Sequence, residues 1–274
     1  ITVGAGEDVS CSFVDTKVPE STVQVIKVAD PSDGTVFGFT ADAPGDTAAV
    51  AEADRAFDLA PDGGPAEHAV TLYPAPGGQS FIFGEDLPLP EDWNLLAIEC
   101  TDNGVDVGTE DLGAGTIDVT IEPGHNLVCT FTDREDATLT IVKEAEDDPT
   151  LEFDFEWNAG ANFAMSQDSS PTTATGLEPG AYNVAEVNLP TDWYLSGPNG
   201  EHPDCVGTDA AVDYSLENGA NLEIAAGEDV VCTFANFYDY RPDIQLTKTA
   251  DRTVLLQGKS VVYTYVVTNV GNTD

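Results

Sequence analysis

Positive charge is scarce in this 274-residue chain: 9 Lys and Arg stand against 50 Asp and Glu, a formal net charge of −41 at pH 7. Nucleic acids and anionic membrane surfaces are bound through clustered Lys and Arg, so both are excluded as partners. No run approaches the roughly 18 consecutive apolar residues of a membrane span. The chain opens at Ile1 with neither an initiator Met nor a charged-then-apolar signal peptide, which is expected of a mature chain or of a piece of a longer one. Histidines number three, His68, His125 and His202, and each stands beside Gly, Pro or an acidic residue at no spacing that suits a metal or a catalytic triad. The five cysteines are widely spaced and never form C-x-x-C, which argues against zinc and against a thioredoxin-like redox site. G-x-S-x-G, H-E-x-x-H and phosphate-cradling Gly loops are absent too, and no cofactor or resident metal is expected.

What remains is a chain that can fold. Hydrophobic residues make up 41% and aromatics 8%, enough for a packed core rather than a disordered acidic tail. Gly 25 and Pro 17 point to many turns, and the length suits two or three domains. The acidity itself fits a salty habitat or a crowded surface polymer that must stay soluble.

The chain repeats itself. Gly6-Glu7-Asp8-Val9-Ser10-Cys11-Ser12-Phe13-Val14-Asp15, Gly124-His125-Asn126-Leu127-Val128-Cys129-Thr130-Phe131-Thr132-Asp133 and Gly227-Glu228-Asp229-Val230-Val231-Cys232-Thr233-Phe234-Ala235-Asn236 are three versions of one closing strand. Val23-Gln24-Val25-Ile26-Lys27, Leu139-Thr140-Ile141-Val142-Lys143 and Ile244-Gln245-Leu246-Thr247-Lys248 are three versions of an opening strand. Between them, Phe37-Gly38-Phe39 matches Phe153-Asp154-Phe155, and Leu89-Pro90-Glu91-Asp92-Trp93 matches Leu189-Pro190-Thr191-Asp192-Trp193. Two complete repeats are expected at 21–135 and 137–238. Residues 1–16 then read as the last strand of a preceding repeat, and 243–274 as the opening strands of a further one. Repeat arrays extend in both directions, so the chain reads as a window on a longer array; strand addition to a neighbouring molecule is the alternative use for such a fragment.

Short alternating strands broken by Gly, Pro, Asn and Asp give an all-β fold of tandem β-sandwich repeats. Residues 48–59, rich in Ala, Glu, Asp and Leu, are expected to form a helical insertion in the first repeat. Cys100 and Cys129 stand about as far apart as Cys205 and Cys232, and the second of each pair is on a closing strand, so two repeat-wise disulfides are expected. A bridge of that size constrains the unfolded chain by about 3–4 kcal/mol. Cys11 is left to pair outside this chain segment; buried free thiols are the competing reading for all five.

Residues i and i+2 share a face of a strand. In the second repeat Leu139, Ile141 and Lys143 share one, as do Tyr182, Val184 and Glu186, and Cys232, Phe234 and Asn236. The first repeat has the same pattern in Val23, Val25 and Lys27, in Phe81, Phe83 and Glu85, and in Cys129, Phe131 and Asp133. Each strand sends apolar residues inward and ends with one polar group on that side. Burial favours the neutral amine and the protonated carboxyl, so a Lys amine against an Asn or Asp carbonyl is a nucleophile in contact with an electrophile, with a protonated Glu beside them to polarise it and move the proton. The product is an amide between side chains, with ammonia leaving from Asn236 and water from Asp133. An ordinary buried salt bridge, or a snorkelling Lys, is the plainer reading of the same residues.

The order of strand-Lys, Pro179-Gly180-Ala181-Tyr182-Asn183-Val184-Ala185-Glu186, Leu-Pro-x-x-Trp and a closing Cys232-Thr233-Phe234-Ala235-Asn236 resembles the prealbumin-like (Cna protein B-type, SpaA-like) repeats of bacterial surface proteins and pilins. The resemblance covers about residues 21–238. It implies an intramolecular Lys–Asn or Lys–Asp isopeptide bond, with Lys143 as nucleophile, Asn236 as acceptor and Glu186 as promoter. The first repeat departs from it: Pro76-Gly77-Gly78-Gln79-Ser80-Phe81 has extra residues and no Tyr, and Glu85 is followed by Asp86, so Lys27, Asp133 and promoter Glu85 rest on parity. The tail, 244–274, is similar to an Ig-like surface module.

These readings point to a non-catalytic, extracellular, cell-surface protein, a structural segment of a stalk, fibre or filament whose partners are neighbouring repeats or subunits of the same protein. An adhesin that binds through loops of the longer first repeat, with its 48–59 insertion, is the alternative; a secreted hydrolase would need two carboxylates in a shared cleft, which nothing in the sequence places. Asp30-Pro31-Ser32-Asp33-Gly34 and Glu144-Ala145-Glu146-Asp147-Asp148 offer oxygen ligands for Ca²⁺ but lack the twelve-residue loop pattern.

Overall fold

The computed structural model describes residues 2–14, 17–197, 202–207, 211–254 and 256–273. Asp15, at the end of the first closing-strand motif, lies outside the described residues. The chain divides into two units, Ile1–Asp136 and Ala137–Asp274.

In the first unit ten strands form two five-stranded sheets. They are β1 (Ser21–Asp30), β2 (Phe37–Asp42), β3 (Ala56–Leu59), β4 (Ala66–Leu72), β5 (Gln79–Glu85), β6 (Trp93–Asp102), β7 (Val105–Asp106), β8 (Thr109–Asp111), β9 (Thr116–Ile121) and β10 (Asn126–Glu135). The orders are β4-β1-β10-β6-β7 and β3-β2-β5-β9-β8. Strict alternation along β1 buries Ser21, Val23, Val25 and Lys27, and the facing sheet answers with Phe37, Phe39, Phe81 and Phe83, the interleaved core of a β-sandwich.

The second unit repeats this plan with β11 (Ala137–Glu144), β12 (Phe153–Trp157), β13 (Phe163–Met165), β14 (Thr172–Leu177), β15 (Gly180–Val187), β16 (Trp193–Leu195), β17 (Asp204–Val206), β18 (Ala211–Asp213), β19 (Gly219–Ile224) and β20 (Asp229–Tyr238). One sheet runs β14-β11-β20-β16, with β17 also on β20, and the other β13-β12-β15-β19-β18. Its core is built on Leu139, Ile141, Phe153, Phe155, Val184 and Phe234. A separate hairpin follows, β21 (Ile244–Ala250) on β22 (Tyr263–Asn269), with both strands exposed throughout. Residues 2–14 form no strand and are exposed; the closing-strand pattern of Val9, Cys11 and Phe13 has no opening strand beside it here.

In each repeat the first and last strands lie side by side and parallel, β1 on β10 and β11 on β20. The Leu-Pro-x-Asp-Trp loop then fastens the exit of the closing strand. Asp92 and Asp192 both take φ 65, and their carbonyls accept the N–H of Asp136 (2.9 Å) and of Asp239 (2.8 Å).

The expected helix at 48–59 is not formed. Thr47–Ala49 and Glu52–Asp54 are single 3-10 turns, and Ala56–Leu59 is strand β3. A helix of this length is marginal on its own in water, whereas as a strand the segment completes the edge of β2, pairing Phe39 with Phe57 and Phe37 with Leu59. Asp54 is drawn off to accept the N–H of Thr71 at 2.9 Å and meets His68 Nε2 at 3.2 Å.

Candidate functional site: two buried Lys–carboxyl–acceptor triads

Parallel pairing of first and last strands sets the geometry. Lys143 stands opposite Phe234 and Lys27 opposite Phe131; the acceptor follows two residues later on the same inward face, Asn236 in one repeat and Asp133 in the other. The glutamate comes from the opposite sheet by an equally repeated register, Glu186 opposite Phe155 and Glu85 opposite Phe39. All six side chains thus meet in threes, and none is more than 3% exposed.

In the second repeat Lys143 Nζ donates to Asn236 Oδ1 at 2.6 Å, and to the carbonyls of Glu144 (2.8 Å) and Phe234 (3.2 Å). Asn236 Nδ2 donates to Glu186 Oε2 at 2.7 Å, while Glu186 Oε1 lies 3.5 Å from Lys143 Nζ. One carboxyl group therefore faces the amine with one oxygen and the amide nitrogen of Asn236 with the other. Burial lowers the Lys143 pKa to about 8, against the opposing pull of the Glu186 charge, and raises that of Glu186, against Lys143. The two shifts converge, so moving a proton from amine to carboxylate is far cheaper here than in water.

In the first repeat Lys27 Nζ contacts Glu85 Oε1 at 2.7 Å and Asp133 Oδ1 directly. Burial pushes Glu85 up to about 7, with Lys27 opposing and the Asp133 charge adding to the rise; Asp133 is raised by burial as well. Two carboxyls sharing one ammonium cannot both ionise at low cost, which favours a proton on one of them.

Sequence reasoning overlooked the floor of each site. Lys27 Nζ lies 4.1 Å from the ring centroid of Phe37, and Lys143 Nζ 4.0 Å from that of Phe153. Each ring is met edge-on by the Trp of the Leu-Pro-x-Asp-Trp motif, Phe37 by Trp93 at 5.0 Å and Phe153 by Trp193 at 5.5 Å. The ring faces attract a cation and exclude water. The signal was present, since the Phe and the Trp recur in both repeats, but strand parity cannot tell which core ring lies under which lysine.

Cys100–Cys129 and Cys205–Cys232 are disulfides, each joining the closing strand to its outer neighbour, and Cys11 is free and exposed. Among the described residues no group of three or more His, Cys, Asp or Glu is arranged to hold a metal ion. The acidic clusters make protein contacts: Asp33 accepts the N–H of Thr35 and Asp148 that of Thr150 within their own turns, and Asp147 accepts the N–H of Tyr238 and the hydroxyl of Tyr240 at the end of the closing strand. His125 faces Asp102 at 2.6 Å, away from either triad.

The family model of the prealbumin-like fold domain matches residues 23–135 and again 139–238. The chain belongs to this family. Solved structures that match the chain include pilus proteins. A variant of the major pilin from Streptococcus pyogenes is 15% identical, with 80% of this chain and 99% of that one covered at a TM-score of 0.29. The C-terminal fragment of the pilus adhesin SpaC from Lactobacillus rhamnosus GG is 15% identical, with 80% and 97% covered at 0.27, and the shaft pilin SpaA of the same organism 10% identical, with 80% and 100% covered at 0.25. No curated protein matches the chain. No helix among the described residues is long and apolar enough to cross a membrane.

Proposed function

We propose that the chain is a non-enzymatic structural segment of a pilus-type fibre or stalk on a cell surface, built from tandem modules at 21–135 and 137–238 that are each closed by an intramolecular isopeptide bond. The modules are flanked by a closing-strand segment, 1–16, and by the opening of a further Ig-like module, 243–274; in this reading Cys11 pairs with a cysteine outside the segment. The observation that carries the proposal is the second triad, in which a buried lysine amine lies 2.6 Å from the side-chain carbonyl oxygen of Asn236 and Glu186 reaches both the amine and the amide nitrogen.

The chemistry balances within the triad. Lys143 passes a proton to Glu186, and the neutral amine attacks Asn236 Cγ; the protonated Glu186 hands its proton to Nδ2 and, a carboxylate again, takes one of the two protons that Nζ still carries. The Nζ–Cγ bond forms, the Cγ–Nδ2 bond breaks and ammonia leaves. In the first repeat Lys27 attacks Asp133 Cγ, with Glu85 as the acid, and water leaves. Each module does this once, so no turnover is involved.

The mechanical consequence follows from topology. Load entering β1 crosses from Lys27 to Asp133 and leaves through Glu135, bypassing residues 28–132; in the second module it bypasses 144–235. Unfolding is then blocked kinetically rather than only made costly. Intact mass after complete reduction tests the reading. A deficit of one ammonia and one water against the sequence mass is the expected result, and a mass equal to that of the sequence rejects both bonds. In the segment at 48–59 Ala49, Val50 and Leu59 are buried in the core, which favours the structural reading over an adhesive one.

A further inference from the structure

The two modules hold the outer edge of the acceptor strand in different ways. In the first, β10 pairs with the continuous ten-residue strand β6 from Leu127 to Glu135, with one bulge between Thr132 and Asp133, and Cys100–Cys129 sits inside that ladder. In the second, the same edge is in two pieces. β16 pairs with residues 236–238 and β17 with residues 231–233, and each is only three residues long. Among the described residues the parallel ladder to β11 ends with Ala235 opposite Glu144, Asn236 pairs with Leu195, and the Ser196 N–H donates to the Ala235 carbonyl at 2.9 Å. Such short pairings are marginal in water, and Cys205–Cys232 is the covalent tie that keeps β17 on β20. Cys232, Phe234 and Asn236 share one inward face, so a displacement of β20 at Cys232 is carried along the strand to the acceptor.

Both disulfides lie inside the segments that the load path bypasses once the amides exist. Their contribution is therefore made before the bonds form. Building on the cross-link reading above, we propose that Cys205–Cys232 is a positioning element for fusion of Lys143 with Asn236 and makes that step conditional on oxidation, whereas fusion of Lys27 with Asp133 proceeds in either redox state. Maturation of the second module is then ordered. A small-molecule disulfide such as oxidised glutathione takes two electrons from the thiols of Cys205 and Cys232 and leaves as two reduced molecules; after this the Nζ–Cγ bond forms and ammonia departs.

The full chain, synthesised under reducing conditions and purified, is divided, and one half receives oxidised glutathione. Mass after complete reduction is then followed with time. The water deficit should be present in both halves, while the ammonia deficit develops at least about tenfold faster in the oxidised half, since a misplacement of about 1 Å can cost a hundredfold in rate. The double variant Cys205→Ser/Cys232→Ser should lose ammonia slowly in either half, and Cys100→Ser/Cys129→Ser should behave as the parent. Equal ammonia loss with and without oxidant, or a larger effect from the Cys100 pair, overturns the proposal. An oxidised parent chain that loses neither ammonia nor water rejects the cross-link reading instead. Amide hydrogen exchange in β11 and β15 separates positioning from general stability: protected strands with slow ammonia loss support positioning, and unprotected strands overturn it.

Discussion

At the scale of single residues the chain places six polar groups in two dry sites and uses each environment to bring amine and carboxyl pKa values together. The reactive form of the second triad, neutral Lys143 with protonated Glu186, carries as many protons as the ion pair. Its formation rate will therefore be flat near neutral pH. It will fall in acid, where the pair takes up a further proton, and in alkali, where the remaining proton is lost, in the region of the Lys143 value of about 8; mass-resolved refolding across a pH series reads this bell. Lys143→Ala will abolish the ammonia loss and leave the water loss intact. Glu186→Gln will slow the ammonia loss by about a hundredfold or more, the usual contribution of a positioned general acid–base group. In the first repeat, Lys27→Met strands Glu85 and Asp133 without their cation. Glu85 already has its folded pKa raised from 4.5 to about 7, so folding favours the protonated form, and stability is fullest below pH 4.5 and lost as pH rises through 7. Compared with the parent chain before its Lys27–Asp133 amide forms, Lys27→Met should show a loss of about 3–5 kcal/mol in denaturant unfolding at neutral pH, the cost of breaking a buried pair, and a smaller loss at pH 4.

At the scale of elements the parallel contact between first and last strands does most to define the site, and the neighbouring strands set its tolerances. Gly219 in β19 lies opposite Ala185, and a Cβ there would fall 2.4 Å from the Val184 carbonyl oxygen. The adjoining Asn218 carbonyl accepts the N–H of Glu186 at 3.0 Å. Gly219→Ala must push β15 away and carry Glu186 with it. The ammonia loss should slow by at least about tenfold with the first repeat unchanged, as the same time-resolved mass measurement would show. Element type was legible wherever alternation was strict, as in Val23, Val25 and Lys27 of β1. It was illegible at 48–59, where helix-favouring composition concealed Phe57 and Leu59, because the deciding factor was the free edge of the preceding strand β2, which the composition of the segment does not record.

At the scale of the whole molecule, the proposed cross-links would let two modules of one plan carry tension through their first and last strands. Single-molecule pulling on the parent chain should release no length from 28–132 or 144–235. With Lys27→Ala and Lys143→Ala combined, each freed residue will add roughly 3.3–3.6 Å; release of both modules from the parent chain would show that the load path is not closed. What the sequence determined by itself was whatever depends on local periodicity and internal copying: the all-β class, the repeats, the cysteine pairs and the inward faces of Lys143, Glu186 and Asn236. Parity along a strand needs no knowledge of its neighbours. Tertiary structure alone decided the rest: the Phe37 and Phe153 rings beneath the lysines, the two oxygens of Glu186 shared between amine and amide, and an outer edge continuous in β6 but split between β16 and β17. Those features arise from register between strands far apart in the chain, and one strand's pattern carries no record of it.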